Sequence, residues 1–413
     1  MKPNALIAIL VVLIIVAGVG GTYVGSTLHP QVTSSTVTQT QTVAISGTQT
    51  LSAATTTATT TSTVTVNGCN TPSTFTKVTV GVNTISGINA GEYVANSLGF
   101  FKQQGLNVTE MLASASVLND ALLTGQINFL ITAPSSALSA YAQGEPIISL
   151  MTQYDGVAAG GVVVKASLYN SGAVTSVRQL NGHRVGSLSA PSAAFYLTQL
   201  YAKYYDANWT QITFTSQTLM INALTTGQID AAVGLNGLYT AQAVQQGPGV
   251  ALISPVQQTP SVWATIMAAA GYPLPAGGSI AGNTVQTSAA FIQQHANIVQ
   301  KYINAMDEAA VWINAHNATE VLSAAYQDPF LQSANESSYL NDVNYLKVGS
   351  PANPGISMAD WTSIVFFTVA SNPTLLGNQT KLLNSYNNLV NTTALSDAAW
   401  CYNPATWTSV DQA

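Results

Sequence analysis

ALLTGQINFLIT, from Ala121 to Thr132, returns as ALTTGQIDAAVG from Ala223 to Gly234, with six of the twelve positions identical. Each copy reads as the end of an amphipathic helix, a glycine suited to the left-handed turn that stops helices, and a short apolar strand. A chain that repeats such a unit about a hundred residues on is expected to have two similar α/β lobes. Both strands run into small or polar residues, Thr132-Ala133-Pro134-Ser135-Ser136 and Gly234-Leu235-Asn236, where open α/β sheets place their ligand-contacting loops. Two such edges facing each other form a cleft.

Outward from the repeat, strand and helix patterns alternate. Val78–Val82 reads as a strand, Glu92–Gln104 as a helix closed by Gly105, and Leu106–Thr109 as the next strand. A helix to about Gln143 and a strand over Pro146–Met151 complete the first lobe. Val162–Lys165, Arg184–Ser187 and Ile212–Phe214 read as strands of the second, with a helix over Ser192–Tyr204. Val262–Ala268 reads as a strand returning to the first lobe, followed by helices from Ala289 to about Val390.

The composition limits the partners. Only 6% of the 413 residues are Asp, Glu, Lys or Arg, against about 25% in ordinary soluble proteins. Ten cations and a net charge of −6 leave no basic patch for a phosphate backbone, so nucleic acid is not an expected partner. The cysteines are two, and there is no CxxC, HxH or HExxH, so neither a metal site nor a cofactor is expected.

The beginning of the chain carries location signals. Lys2 precedes an apolar run from Ala5 to about Val24, roughly 20 residues at 1.5 Å each, which matches a bilayer core of about 30 Å. Residues 1–24 are read as a membrane anchor, with a cleaved secretory signal as the alternative. From Thr33 to Thr65, twenty of thirty-three residues are Ser or Thr, so residues 25–72 are read as a disordered, O-glycosylated stalk that holds the folded part outside the cytoplasmic membrane. Six Asn-x-Ser/Thr sequons, at Asn107, Asn208, Asn317, Asn335, Asn378 and Asn391, permit glycosylation, although a chain this rich in Asn, Ser and Thr has about that many by chance. Cys69 and Cys401, at opposite ends of the folded part of an exported chain, are expected to form one disulfide; two unrelated thiols are the alternative.

GEYVANSLGFFKQQGLNVTEM (Gly91–Met111), the first repeat copy, VRQLNGHRVGSLSAPSAAFYL (Val177–Leu197), INALTTGQIDAAVG, FIQQHANIVQKYINAMDEAAVWI (Phe291–Ile313) and ISMADW (Ile356–Trp361) follow one another in the order seen in a known family. Over about Phe75 to Val390 the chain resembles the substrate-binding proteins of ABC importers for nitrate, sulfonates and taurine, and with them the NMT1/THI5-like proteins. The resemblance implies a type II periplasmic-binding fold, an α/β architecture of two lobes that close by hinge motion over a small solute and dock on an importer permease. It places lobe 1 at 73–156 and 260–405, lobe 2 at 157–259, and the crossings near Asp155–Gly161 and Ser254–Trp263. A monomer is expected.

The site follows from residues at the strand ends. Ser135 and Ser136 follow Pro134, and Ser192 follows Pro191, so both lobes present helix starts with hydroxyls and free N–H groups suited to a small anion. Ser192 matches one Ser of the Gly-Ser-Ser-Ala-His run that touches ligand in the sulfonate-binding relatives. Ala190-Pro191-Ser192-Ala193-Ala194 lacks the His, which leaves the solute open. Such serines are as often N-caps alone. Thr84, Ser86, Asn89, Thr132, Ser189 and Asn236 are further candidates at strand ends, each equally suited to turn chemistry. Tyr154 and Trp263, at the proposed crossings, are candidates to stack on a flat ligand or to be plain core. No G-x-S-x-G turn or nucleophile–base pair marks an enzyme; the rival readings are a structural or adhesive surface glycoprotein and a thiamine-pyrimidine synthase, whose clustered His and Cys this chain does not have.

Overall fold

A computed structural model describes residues 34–42, 57–65 and 72–398, apart from 191, 246–248, 352 and 397. The apolar run at 5–24, Cys69 and Cys401 lie outside the described residues, and so do the expectations placed on them. No helix among the described residues is long and apolar enough to cross a membrane.

Twelve strands are described: β1 (Ser34–Thr42), β2 (Thr57–Thr65), β3 (Thr76–Val82), β4 (Leu106–Leu112), β5 (Phe129–Thr132), β6 (Ile147–Asp155), β7 (Gly161–Lys165), β8 (Arg184–Leu188), β9 (Thr210–Phe214), β10 (Ala231–Leu235), β11 (Gly249–Ile253) and β12 (Ala281–Ser288). β1 and β2 pair antiparallel as a separate ribbon, from Ser34 opposite Thr65 to Thr42 opposite Thr57. The Ser/Thr tract, expected to be a disordered stalk, is thus described as paired over these residues. Thr is β-branched and sits well on a pleated surface, although a lone two-stranded ribbon is marginal in water.

The other ten strands make two five-stranded sheets with one plan. The first runs β4-β3-β5-β12-β6 and the second β9-β8-β10-β7-β11. In each, three parallel strands stand in the order second, first, third, then one strand (β12 or β7) runs against them, and the edge strand (β6 or β11) pairs antiparallel with that one and so runs with the first three. The two repeat copies supply β5 and β10, the central strand of each sheet. Their glycines hold the left-handed conformation that ends the preceding helix, with φ of 77° at Gly125 and 83° at Gly227. Helices cover the sheets as expected of an α/β fold. The longest, Ala289–Ala315, buries Val299, Tyr302, Ile303, Met306, Ala309 and Ile313 on one stripe, and Tyr302 stacks on Phe129 of β5 at 3.9 Å between ring centroids.

The chain leaves the first sheet after Asp155 and enters the second at Gly161, where a crossing was expected. The return differs. Val262–Ala268 is not a strand: Pro260–Ala269 is a helix with Pro at its first turn, burying Trp263, Ile266 and Met267 at helical spacing. Those three belong to one buried cluster with Leu197, Tyr201 and Val233, and also with Phe367 and Ala370 of the helix Met358–Ser371, and the first sheet resumes only at Ala281. A short apolar run does not distinguish helix from strand by periodicity. The true returning strand, AGNTVQTS, has hardly any apolar side chains to announce it, yet all but its last residue are buried.

Candidate functional site

The C-terminal ends of the parallel strands of both sheets meet at a narrow cleft. From the first lobe it is lined by Asn83 and Thr84 after β3, Ala133 after β5, Tyr154 on β6, and Gly282 and Asn283 on β12. From the second come Leu188 at the end of β8, Ser192–Ala194, Gln217 and Asn236, while Val157–Ala159 of the crossing form one wall. No Lys, Arg, His, Asp or Glu is among the lining residues. Two cations of the second lobe sit at the other end of its sheet: Arg184 pairs with Asp230 at 2.8 Å and Lys165 lies 3.4 Å from the same carboxylate.

Four of the residues singled out from sequence line this cleft: Thr84, Tyr154, Ser192 and Asn236. Ser192 Oγ accepts from Phe195 N–H at 3.3 Å, so it caps the helix Ala193–Tyr204. Ala193 and Ala194 are the first two helical residues, whose N–H groups have no partner within a helix. That helix start reaches the sheet because β10 has Gly234, the last residue of the repeat, with φ of 87°. A Cβ there would stand 2.6 Å from that of Ala194. Asn236 Oδ1 accepts from Tyr239 N–H at 3.1 Å and its own N–H donates to Gln217 Oε1 at 3.1 Å, which leaves Nδ2 buried with no partner. A buried donor without a partner costs about 1–3 kcal/mol.

Tyr154 stands edge-on to Tyr345, ring centroids 5.9 Å apart, and lies over Gly282. Burial pushes its phenol well above the usual range, so it is a neutral donor. Asn89 lies just behind the cleft: its Nδ2 donates to Thr84 O at 3.1 Å and its Oδ1 accepts from Asn283 at 2.9 Å, holding two lining residues in place. Ser135 opens on a smaller adjoining hollow with Ala133, Pro134 and Phe367, and its buried Oγ has no partner.

The remaining candidates are engaged elsewhere. Ser86 Oγ donates to Asp342 at 2.5 Å, Ser136 Oγ to Asn119 at 2.8 Å, and Ser189 Oγ to Phe214 O at 3.1 Å. Thr132 O accepts from Thr284 and Gln286 within the first sheet. Trp263, expected at a crossing, stacks on Tyr201 at 5.9 Å inside the second lobe and lines no part of the cleft, because its segment is a helix and not the returning strand. Asn83, Gln217 and Asn283 were not singled out from sequence. Asn83 directly follows the first strand and Gln217 opens a helix, signals of the kind used for Thr84 and Ser192. Asn283 was hidden with its polar strand.

A family model described as "NMT1/THI5 like" matches residues 88–319, more than half of the chain. The chain belongs to the NMT1/THI5-like family. In fold it is similar to the periplasmic nitrate-binding protein NrtA from Synechocystis PCC 6803, at a TM-score of 0.59 and 12% identity over 79% of this chain and 88% of that one. The alkanesulfonate-binding protein SsuA from Xanthomonas axonopodis pv. citri, bound to MOPS, is similar at a TM-score of 0.53 and 15% identity over 80% and 99%. A ligand-binding component of an ABC-type import system from Staphylococcus aureus is similar at 0.59 and 12% over 78% and 98%. No curated protein sequence matches the chain. In the family's two-lobed fold the cleft described above lies between the lobes. Among the described residues no group of three or more His, Cys, Asp or Glu is placed to hold a metal ion.

Proposed function

We propose that the chain is an extracytoplasmic solute-binding protein that captures a small solute between its lobes and delivers it to an ABC importer permease, tethered to the cytoplasmic membrane by its first residues. The family and the nitrate- and sulfonate-binding neighbours in fold support this reading. The observation that carries it is the cleft itself. The second lobe contributes Asn236 Nδ2, a buried donor with no internal partner, and the start of the Ala193 helix; the first lobe faces them with Asn83, Thr84, Tyr154 and Asn283, and no side chain of the lining is a charged nucleophile, acid or base. Such a lining holds a solute by hydrogen bonds and a helix dipole. A nitrate- or sulfonate-like anion, or a related small polar solute, is the class it suits.

A solute present at 100 times its Kd should stabilise the protein by about 2.7 kcal/mol. Nitrate, alkanesulfonates, taurine, bicarbonate and pyrimidines are therefore tested by thermal shift and calorimetry. At least one is expected to raise the melting temperature. No shift across the panel, together with no small molecule in the native mass spectrum of protein taken from its source, would overturn the reading.

Ser192→Ala separates capping from binding. Loss of the cap costs about 1 kcal/mol of stability. Loss of a contact to solute costs a further 1–3 kcal/mol or so in affinity. Calorimetry on the folded variant is expected to find binding weakened; unaltered affinity beside a lowered melting temperature would leave Ser192 a cap and nothing more.

A further inference from the structure

One buried carboxylate takes hydrogen bonds from both lobes. Asp342, on the helix Leu340–Gly349, is fully buried. Its Oδ2 accepts from Ser86 Oγ at 2.5 Å and from Gly87 N–H at 3.2 Å, both in the segment that follows β3 of the first sheet. Its Oδ1 accepts from Leu238 N–H at 3.1 Å, at the start of the helix Gly237–Gln245 that follows β10 of the second sheet. The backbone makes room for this carboxylate from both sides. A Cβ on Gly87 would stand 2.9 Å from Asp342 Cβ, and one on Gly237 would stand 2.5 Å from Asp342 Oδ1.

The two anchored segments carry the cleft. Thr84 and Ile88 flank Ser86 and Gly87, and Asn236 precedes Gly237, and all three are lining residues. The same helix also reaches the crossing after β6, where a Cβ on Gly156 would stand 2.5 Å from Tyr345 Oη, and that hydroxyl donates to Gln258 O at 3.2 Å. Asp342 is seven residues from the far end of the helix at Gly349, which packs on Asp155; that is about 10 Å of helix. It is therefore off the pivot, and a rotation that opens the cleft draws the amide of Leu238 away from it.

We infer that Asp342 is an internal clasp: it joins the rims of the cleft across the two lobes and holds them closed with the chain's own groups, before any solute is bound. It acts as a positioning residue for Thr84, Ile88 and Asn236 and makes no contact with the solute. An ionised carboxylate can serve both lobes because each oxygen accepts. An asparagine serves them less well. Whichever way its amide turns, the NH2 faces a backbone N–H, that of Gly87 or that of Leu238. At least one bond and the charge of the clasp are then lost while side-chain volume is kept, although Ser86 Oγ can accept from it.

The inference rests on the two sheets being separate lobes and not on the identity of the solute, so its test uses none. Spin labels are placed by unnatural amino acids at positions 117 and 219, exposed on the first and second lobe respectively. Their separation is measured by pulsed electron resonance in the full chain. The unaltered protein is expected to give one short distance matching the structure. Asp342→Asn is expected to add a population at longer distance, and Gly237→Ala, which pushes the carboxylate out from the other side, to do the same. If both variants melt cooperatively and keep the single short distance, or if the unaltered protein already shows the long one, the clasp is refuted. Failure of every solute in calorimetry bears on the proposed function alone.

Discussion

Lowering the pH from 8 to about 5 is expected to raise the melting temperature of this protein by roughly 5–10 °C. Two buried carboxyls, Glu92 and Asp342, and two partly buried ones, Glu110 and Asp155, bring this about. Burial pushes Glu92 well above the usual carboxylate range, with Glu110 and Asp328 nearby adding repulsion and only Tyr302 Oη, at 3.3 Å, donating to it. Burial, and then the charge of Asp328, raises Glu110 from 4.5 to about 7. Asp155 and Asp342 are raised from 3.8 to about 6, again by burial, against the hydrogen bonds from Ser279 and Ser86. A carboxyl whose pKa is higher folded than unfolded binds its proton more tightly in the native state. Its contribution to stability therefore grows as pH falls from above 7 towards 4, where the unfolded chain takes up the same proton.

Each unit is worth about 1.4 kcal/mol, and with Glu110 discounted for its partial exposure the sum is a few kcal/mol. Asp230 works in the other direction. Burial raises it, but hydrogen bonds and charge from Arg184, with Lys165, outweigh that and hold it at about 2, so its contribution is lost below about pH 4. Stability should therefore peak near pH 4–5. Scanning calorimetry at pH 8, 6.5 and 5 checks this, and a melting temperature that is flat or falls on acidification is the contrary result.

Gly282→Ala is expected to destabilise the protein by about 3 kcal/mol and to abolish solute binding. A Cβ at this position in β12 would fall inside the Tyr154 ring and 2.5 Å from Gly156 O, so the side chain or the crossing must move. Tyr154 is fully buried against Tyr345 and has little room to yield, and overpacking of that kind costs about 1–3 kcal/mol or more. The same displacement removes one wall of the cleft. A double-mutant cycle with Tyr154→Ala tests the cause. If the ring is what the methyl meets, Gly282→Ala should cost much less once Tyr154 is gone. Equal cost in both backgrounds would place the strain in the backbone instead.

These residues also show what the sequence could reveal. The repeat carries its own structural reasons: a left-handed glycine ends each helix, an apolar run makes each central strand, and Gly234 admits the Ala193 helix. The two sheets were legible from it, and so were the strand ends that bring Ala133 and Asn236 to the cleft. Asn236, Ser192 and Thr84 were legible because strand ends and helix starts are short-range features. What was hidden depends on partners far along the chain. β12 is built of Asn283, Thr284, Gln286 and Thr287, and these are buried only because β5 and β6 lie on either side. Asp342, in a helix with no local sign of a site, takes its meaning from Ser86, 256 positions earlier. Trp263 failed as a candidate for the opposite reason: its apolar neighbourhood was visible, but a short apolar run does not tell strand from helix, and here it forms a helix with Pro260 in its first turn.

The uncharged lining of the cleft has a kinetic side. Binding sites ringed with lysine or arginine gather anions by long-range attraction, and salt at physiological strength screens that attraction beyond about 8 Å. A site that grips by aligned amides and carboxamides exerts its pull only at contact, inside that screening distance. Its rate of capture is set by diffusion and by how often the lobes part, and hardly at all by ionic strength. Such a cleft should capture its solute as quickly from brine as from fresh water.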